Sequence, residues 1–193
     1  MKSINITFLI PLLLLYFPFI ALSNNRGSLP PPISCDFGIP NNIKLRNIRP
    51  NSFPSNNAGT LANDRYSKRI AVVFSRCSEN NTKITLRIDN VNIDFNNGYL
   101  INDVTGSEAS DNVTFQLIDN ENNPIDLNQK NTFTETINDS GIAYFNFFIN
   151  YVKKDNLRAK PGAIFSRITF IVEAKDQIVE DSNEFAGVEE RIL

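Results

Sequence analysis

The sequence predicts an all-β sandwich, and three observations carry the prediction. Two stretches late in the chain alternate apolar and other residues at a spacing of two: Phe145, Phe147, Ile149 and Tyr151, then Ile168, Phe170, Val172 and Ala174. That period places each set on one face of a strand, and their aromatic and β-branched content suits a half-buried sheet. Shorter alternating runs, divided by Asn-, Gly- and Pro-rich turns, recur upstream. No stretch beyond the N-terminal segment shows a helical period. Many short strands separated by turn signals point to two packed antiparallel sheets.

The N-terminal 23 of the 193 residues stand apart from that pattern. Lys2 gives a positive start, residues 6–21 are apolar, and Ala21-Leu22-Ser23 has the small-x-small form of a cleavage site. These are the marks of a secretory signal peptide. A membrane anchor fits less well, because Pro11 and Pro18 interrupt a run of modest length. Cleavage after Ser23 would leave 193 − 23 = 170 residues, enough for one domain with a core. Two cysteines, Cys35 and Cys77, in a chain routed to an oxidising compartment argue for one disulfide.

Residues 24–34 read as an extended lead-in whose Pro30, Pro31 and Pro32 cannot donate ladder hydrogen bonds. Residues 33–37 are a candidate first strand that 43–48 would continue. Residues 50–63 read as loop. A strong strand follows at 69–77, with Ile70, Val72 and Phe74 on one face. Residues 82–89 alternate cleanly, which favours an antiparallel sheet with one wet face. Residues 99–101 form a short apolar run after the Asn96-Asn97-Gly98 turn. Val113, Phe115 and Leu117 mark a strand that turns at 119–124 into a return at 125–127. Residues 132–137 are a further short strand before the two long ones. Beyond Ala174 the pattern breaks. Residues 175–193 carry six acidic residues and sparse apolar ones, and read as a solvated acidic tail with a marginal helix at its end.

Most chemistries lack their residues. The sequence contains no histidine, which removes Ser-His and Cys-His nucleophile pairs and the common zinc sites. No glycine-rich phosphate loop is present. Asp119 and Glu121 form a carboxylate pair, but within a turn. Residues 119–123 lack the spaced glycine and terminal glutamate of a calcium loop. The formal charge of −2 and the lack of a basic run argue against nucleic acid as a partner. The chain is therefore read as no enzyme, with no cofactor and no metal.

The ordered part resembles a known family. Residues 70–77, Ile-Ala-Val-Val-Phe-Ser-Arg-Cys, look like the strand that ends in the second cysteine of type 1 fimbrial (chaperone–usher) pilin subunits. Residues 112–119 with 124–127 are similar to their mid-chain hairpin, 145–152 to their penultimate strand, and 161–172 to their last. The Cys35–Cys77 spacing fits as well. The resemblance spans about residues 33–174 and implies an incomplete immunoglobulin-like sandwich, the pilin fold with one disulfide, that lacks its final strand. It divides the chain into a signal peptide (1–23), an N-terminal extension that is a weak donor-strand candidate (24–34), the pilin domain (35–174) and the acidic tail (175–193).

The resemblance further implies a subunit of an adhesive fimbria, tip subunits included, secreted through the periplasm to the cell surface. Its partners would be a periplasmic chaperone, an outer-membrane usher and other pilin subunits, with a host-surface receptor as a candidate. The groove left by the missing strand would take a strand from the chaperone and then one from the next subunit. Phe145, Phe147, Ile149, Tyr151, Ile168, Phe170 and Val172 are the expected groove and core residues. One wall would be 168–174 and the other 43–48. Two features depart from the pattern: the donor segment is proline-rich, and the chain continues past Ala174. A self-sufficient secreted β-sandwich, such as a carbohydrate-binding module, is the alternative in another class.

Overall fold

The structure, a computed structural model, describes residues 33–39, 43–174, 177–179 and 190–192. The chain divides into two units, Met1–Pro31 and Pro32–Leu193. The expected signal peptide, all but the end of the 24–34 extension, and most of the tail lie outside the described residues. Every described residue belongs to the second unit.

Among the described residues there are ten strands: β1 (Asp36–Gly38), β2 (Lys68–Ser75), β3 (Lys83–Ile88), β4 (Val113–Ile118), β5 (Thr132–Thr136), β6 (Ala143–Lys153), β7 (Gly162–Ile164), β8 (Phe170–Ala174), β9 (Gln177–Val179) and β10 (Glu190–Ile192). Only 3₁₀ turns, at Pro50–Ser52, Asp64–Tyr66 and Asn90–Asn92, provide helical structure among the described residues. One sheet has the order β1-β2-β6-β4 and the other β5-β3-β8-β9; β10 and β7 form a separate pair. All these strand pairs are antiparallel. This is a two-sheet sandwich, as the alternating runs predict.

The alternation read in the sequence is the alternation of burial. In β3, Ile84, Leu86 and Ile88 are buried between more exposed neighbours, and in β2, Ile70, Val72 and Phe74 are. The central strand β6 buries Phe145, Phe147, Ile149 and Tyr151. Phe147 packs edge-on to Phe133, centroids 4.8 Å apart, and stacks on Phe170 of the facing sheet at 6.3 Å. Such pairs contribute beyond their buried area.

Two strands are buried on both faces because loops cover the outer side. On β4, Gln116 donates to the Ile125 carbonyl at 2.6 Å and Thr114 donates to the Leu100 carbonyl. The 99–101 and 125–127 runs are these covers, held by single bridges and not by ladders. At the end of β6, residues 59–62 take over from β2: Ala62 N–H donates to Tyr151 O and Gly59 N–H to Lys153 O. Lys153 is fully buried, and its ammonium donates to Asn56 Oδ1 at 3.3 Å and to the Leu157 carbonyl. Burial of that charge is tolerated because its donors have acceptors.

Cys35 and Cys77 are joined, their Cα atoms 4.1 Å apart. The bond ties the start of β1 to the end of β2, where Ser78 N–H also donates to Ser34 O. Other elements differ from expectation. β1 begins at Asp36, and 43–48 is extended but forms no ladder. The stretch 161–172, expected as one last strand, is divided between the short β7, which pairs with β10, and β8, and the helix expected at the end of the chain is replaced there by strand β10.

Candidate functional site: the β8 edge and a basic cavity

The site follows from the backbone of β8. In antiparallel ladders the N–H and C=O of one residue point to the same side, alternating along the strand. Asp89 N–H donates to Thr169 O at 2.9 Å, and Ile88 N–H turns away to Asn131 O. Thr169, Ile171 and Glu173 therefore address β3, while Phe170, Val172 and Ala174 address the opposite edge. Along that edge β9 meets β8 only at Val172–Ala174, with Val179 opposite Val172 and Gln177 opposite Ala174. Inward from this edge, Ile168, Phe170 and Val172 bury their side chains at 6, 1 and 8 % exposure.

Residues 43–48 have the complementary character. Ile43, Leu45 and Ile48 are buried in the same core as Ile168, Phe170 and Val172. Yet none of the backbone N–H groups of 43–48 has an acceptor among the described residues. Two long-range bonds hold the segment: Tyr151 OH donates to Arg46 O at 3.1 Å, and Lys68 Nζ donates to Lys44 O at 3.0 Å. Strand pairing with β2 ends at Gly38, opposite Val73. Residues 43–48 form no ladder, and a wedge of space of about 300 Å³ lies between 44–46 and 65–68.

The wedge is basic. Lys44, Arg46, Arg65 and Lys68 line it, with Leu45, Tyr66 and Ser67 and no carboxylate. Arg49 and Arg69 adjoin these segments in sequence, and Asp64 is the one acidic residue between 43 and 69. Tyr66 accepts from Ser52 Oγ at 3.0 Å and from the Arg65 guanidinium at 3.0 Å. These bonds, Ser52's first, hold its phenol below the ordinary tyrosine range. A linear scan finds no basic run because the cations come from two stretches separated by a loop. The cluster exists only after folding.

The expected site residues fall into two groups. Phe145, Phe147, Ile149 and Tyr151 lie on β6, between β2 and β4, and are core rather than edge. Ile168 precedes β8, and Phe170 and Val172 lie on it, with β9 paired at Val172–Ala174. A second cavity, of about 380 Å³, lies near residues 100–111 and has a mixed lining that includes Asp94, Asn102, Asp111 and Lys154. No cluster of metal-ligating side chains occurs among the described residues.

Comparison with known proteins places this architecture. A profile of the fimbrial protein family matches residues 33–174. The chain belongs to the fimbrial protein family. The matched span is the sandwich from the approach to Cys35 to the last residue of β8. Members of this family are non-enzymatic components of surface fimbriae. No curated protein matches the chain.

Among solved structures, the CupB6 tip adhesin from Pseudomonas aeruginosa is similar, with a TM-score of 0.61 and 14 % identity over 86 % of this chain and 45 % of that one. A mutant form of the CFA/I adhesin CfaE from enterotoxigenic E. coli matches at a TM-score of 0.40 and 11 % identity, over 82 % of this chain and 47 % of that one. The chain thus spans about half the length of these structures. At such identities the likeness to CupB6 is one of fold.

Proposed function

We propose that this fimbrial subunit takes part in a surface fibre by accepting a β-strand from a partner into the groove between 43–48 and 162–174. The observation that supports this is a pair of walls. On one side is the β8 edge that Val172 and Ala174 address, which among the described residues only the three-residue strand β9 meets. On the other is the segment 43–48, with buried Ile43, Leu45 and Ile48 and backbone N–H groups that have no acceptor among the described residues. A row of open backbone groups above an apolar stripe is a template for strand addition, and an aggregation hazard without one.

The partners would be a periplasmic chaperone during export, the outer-membrane usher during assembly, and another fimbrial subunit in the finished fibre. A place at the tip rests on residues 24–34: Pro30, Pro31 and Pro32 cannot pair, so the chain accepts a strand more readily than it donates one. Cell adhesion is the role such a fibre serves. A test is co-expression with the fimbrial chaperone of its host, followed by purification through a tag on the chaperone. The reading expects a one-to-one complex of the chain with the chaperone. Absence of any complex, with the chain also ending at Ala174, would overturn it.

A further inference from the structure

The family match ends at Ala174, but the chain runs on for 19 residues. Two pieces of that continuation are strands. β9 runs antiparallel along β8, and β10 runs antiparallel along β7. Both acceptors belong to one stretch, 162–174, and both pieces run in the same sense along it. Eight positions separate Ile164 from Val172, and eleven separate their partners Glu190 and Val179. β9 and β10 therefore run in the same sense along 162–174. At β7 the sides are also defined: Ala163 N–H donates to Glu108 O and Ala163 O accepts from Ser110 N–H, so Gly162 and Ile164 address β10.

We infer that β9 and β10 are this chain's own closing strands, which cover Val172–Ala174 and Gly162–Ile164 in cis and must leave before a partner's strand can take that edge. The occupant is this segment of the same molecule; a chaperone strand or a second copy are competing outcomes. The covering role stands on the pairing itself, and only the displacement step rests on the strand-accepting function proposed above. A tail held by two three-residue ladders is a low-stability unit, which suits a segment that has to be released.

The test is hydrogen exchange, read residue by residue on the mature chain. Ile164 and Val172 address the tail, while Ala163, Ile171 and Glu173 address other strands and serve as internal controls. In the full chain all five amides should be protected. In a Val179→Pro chain, and in one ending at Ala174, protection at Val172 should fall by about tenfold or more, with Ile171 and Glu173 little changed. Ile164 should fall with it in the shortened chain.

Full exchange at Ile164 and Val172 in the unaltered chain overturns the inference, even where the variants do not fold. So does protection that rises with protein concentration in a species of dimer mass, since the strand would then come from a second copy. The two readings separate cleanly. An edge bared by truncation that then binds no chaperone supports the closing strand and contradicts strand acceptance. A chaperone complex formed by a full chain with unprotected edge amides does the reverse.

Discussion

Replacing Phe147 with alanine is the sharpest probe of the sandwich. The side chain is 3 % exposed at the middle of β6, between Phe133 and Phe170. Burial of about 150–250 Å² per aromatic residue, at roughly 25 cal/mol per Å², gives about 4–6 kcal/mol for the whole side chain. Alanine keeps part of that, the loss of two ring contacts adds about 1–3 kcal/mol, and the cavity relaxes incompletely; measured Phe→Ala changes fall at about 3–5 kcal/mol. We expect about 4 kcal/mol, a large share of the roughly 5–15 kcal/mol by which domains are stable. Urea unfolding of the mature chain should show a lower midpoint at an unchanged slope. Phe95→Ala is the control, because that ring is 84 % exposed and its loss should stay within about 0.5 kcal/mol. A Phe147→Ala change below about 1 kcal/mol would refute the register of β6 and the facing of β6 by β8.

Three further outcomes rest on particular contacts. Cys35→Ser with Cys77→Ser opens a loop with a sequence separation of 42 and should cost about 4 kcal/mol by the chain-entropy model; mass before and after alkylation should show no reactive thiol in the native parent. Gly98 has φ +72°, and a Cβ there would lie 2.2 Å from Asp126 Oδ1 and 2.8 Å from Leu127 N, so Gly98→Ala should destabilise by about 1–3 kcal/mol in the same urea assay. The backbone N–H of Asn123, then that of Glu121 and the Asn123 amide, hold the Asp119 carboxyl below the ordinary carboxylate range. Its folded-state pKa is depressed, so this stabilisation is complete above the unfolded value and is lost as pH falls through the folded one. Asp119→Asn should flatten that acid limb, and an unchanged limb would count against the 118–124 turn.

The sequence and the structure part company where partners decide the conformation. Strands β2, β3, β4 and β6 were legible because one-sided burial imposes a period of two on the residues themselves. Residues 43–48 alternate at first and bury Ile43, Leu45 and Ile48 but form no ladder. Periodicity reports burial and says nothing of hydrogen bonding. The 99–101 and 125–127 runs were legible as apolar, but not as lids over β4, since Thr114 and Gln116 give no local sign that carbonyls from elsewhere will accept their protons. β7 is three residues long and held by backbone approach: a Cβ on Gly162 would sit 2.4 Å from Ser110 N. Nothing in Pro161-Gly162-Ala163 announces that neighbour. The basic wedge was invisible because Lys44 and Arg46 meet Arg65 and Lys68 only in three dimensions. The tail looked solvated because its composition is acidic, yet β9 and β10 are joined to the fold through backbone groups, which composition does not report.

The central claim is that the sandwich of residues 33–174 is open along 162–174 and needs a strand there. The measurement that tests it most directly is the size distribution, by light scattering, of a mature chain ending at Ala174, alone and with a synthetic peptide of residues 175–193 added in trans. The account predicts that the shortened chain aggregates alone, while the peptide restores a monomer-sized complex of the two. A shortened chain that stays a soluble monomer without the peptide, at the stability of the full chain, would contradict it.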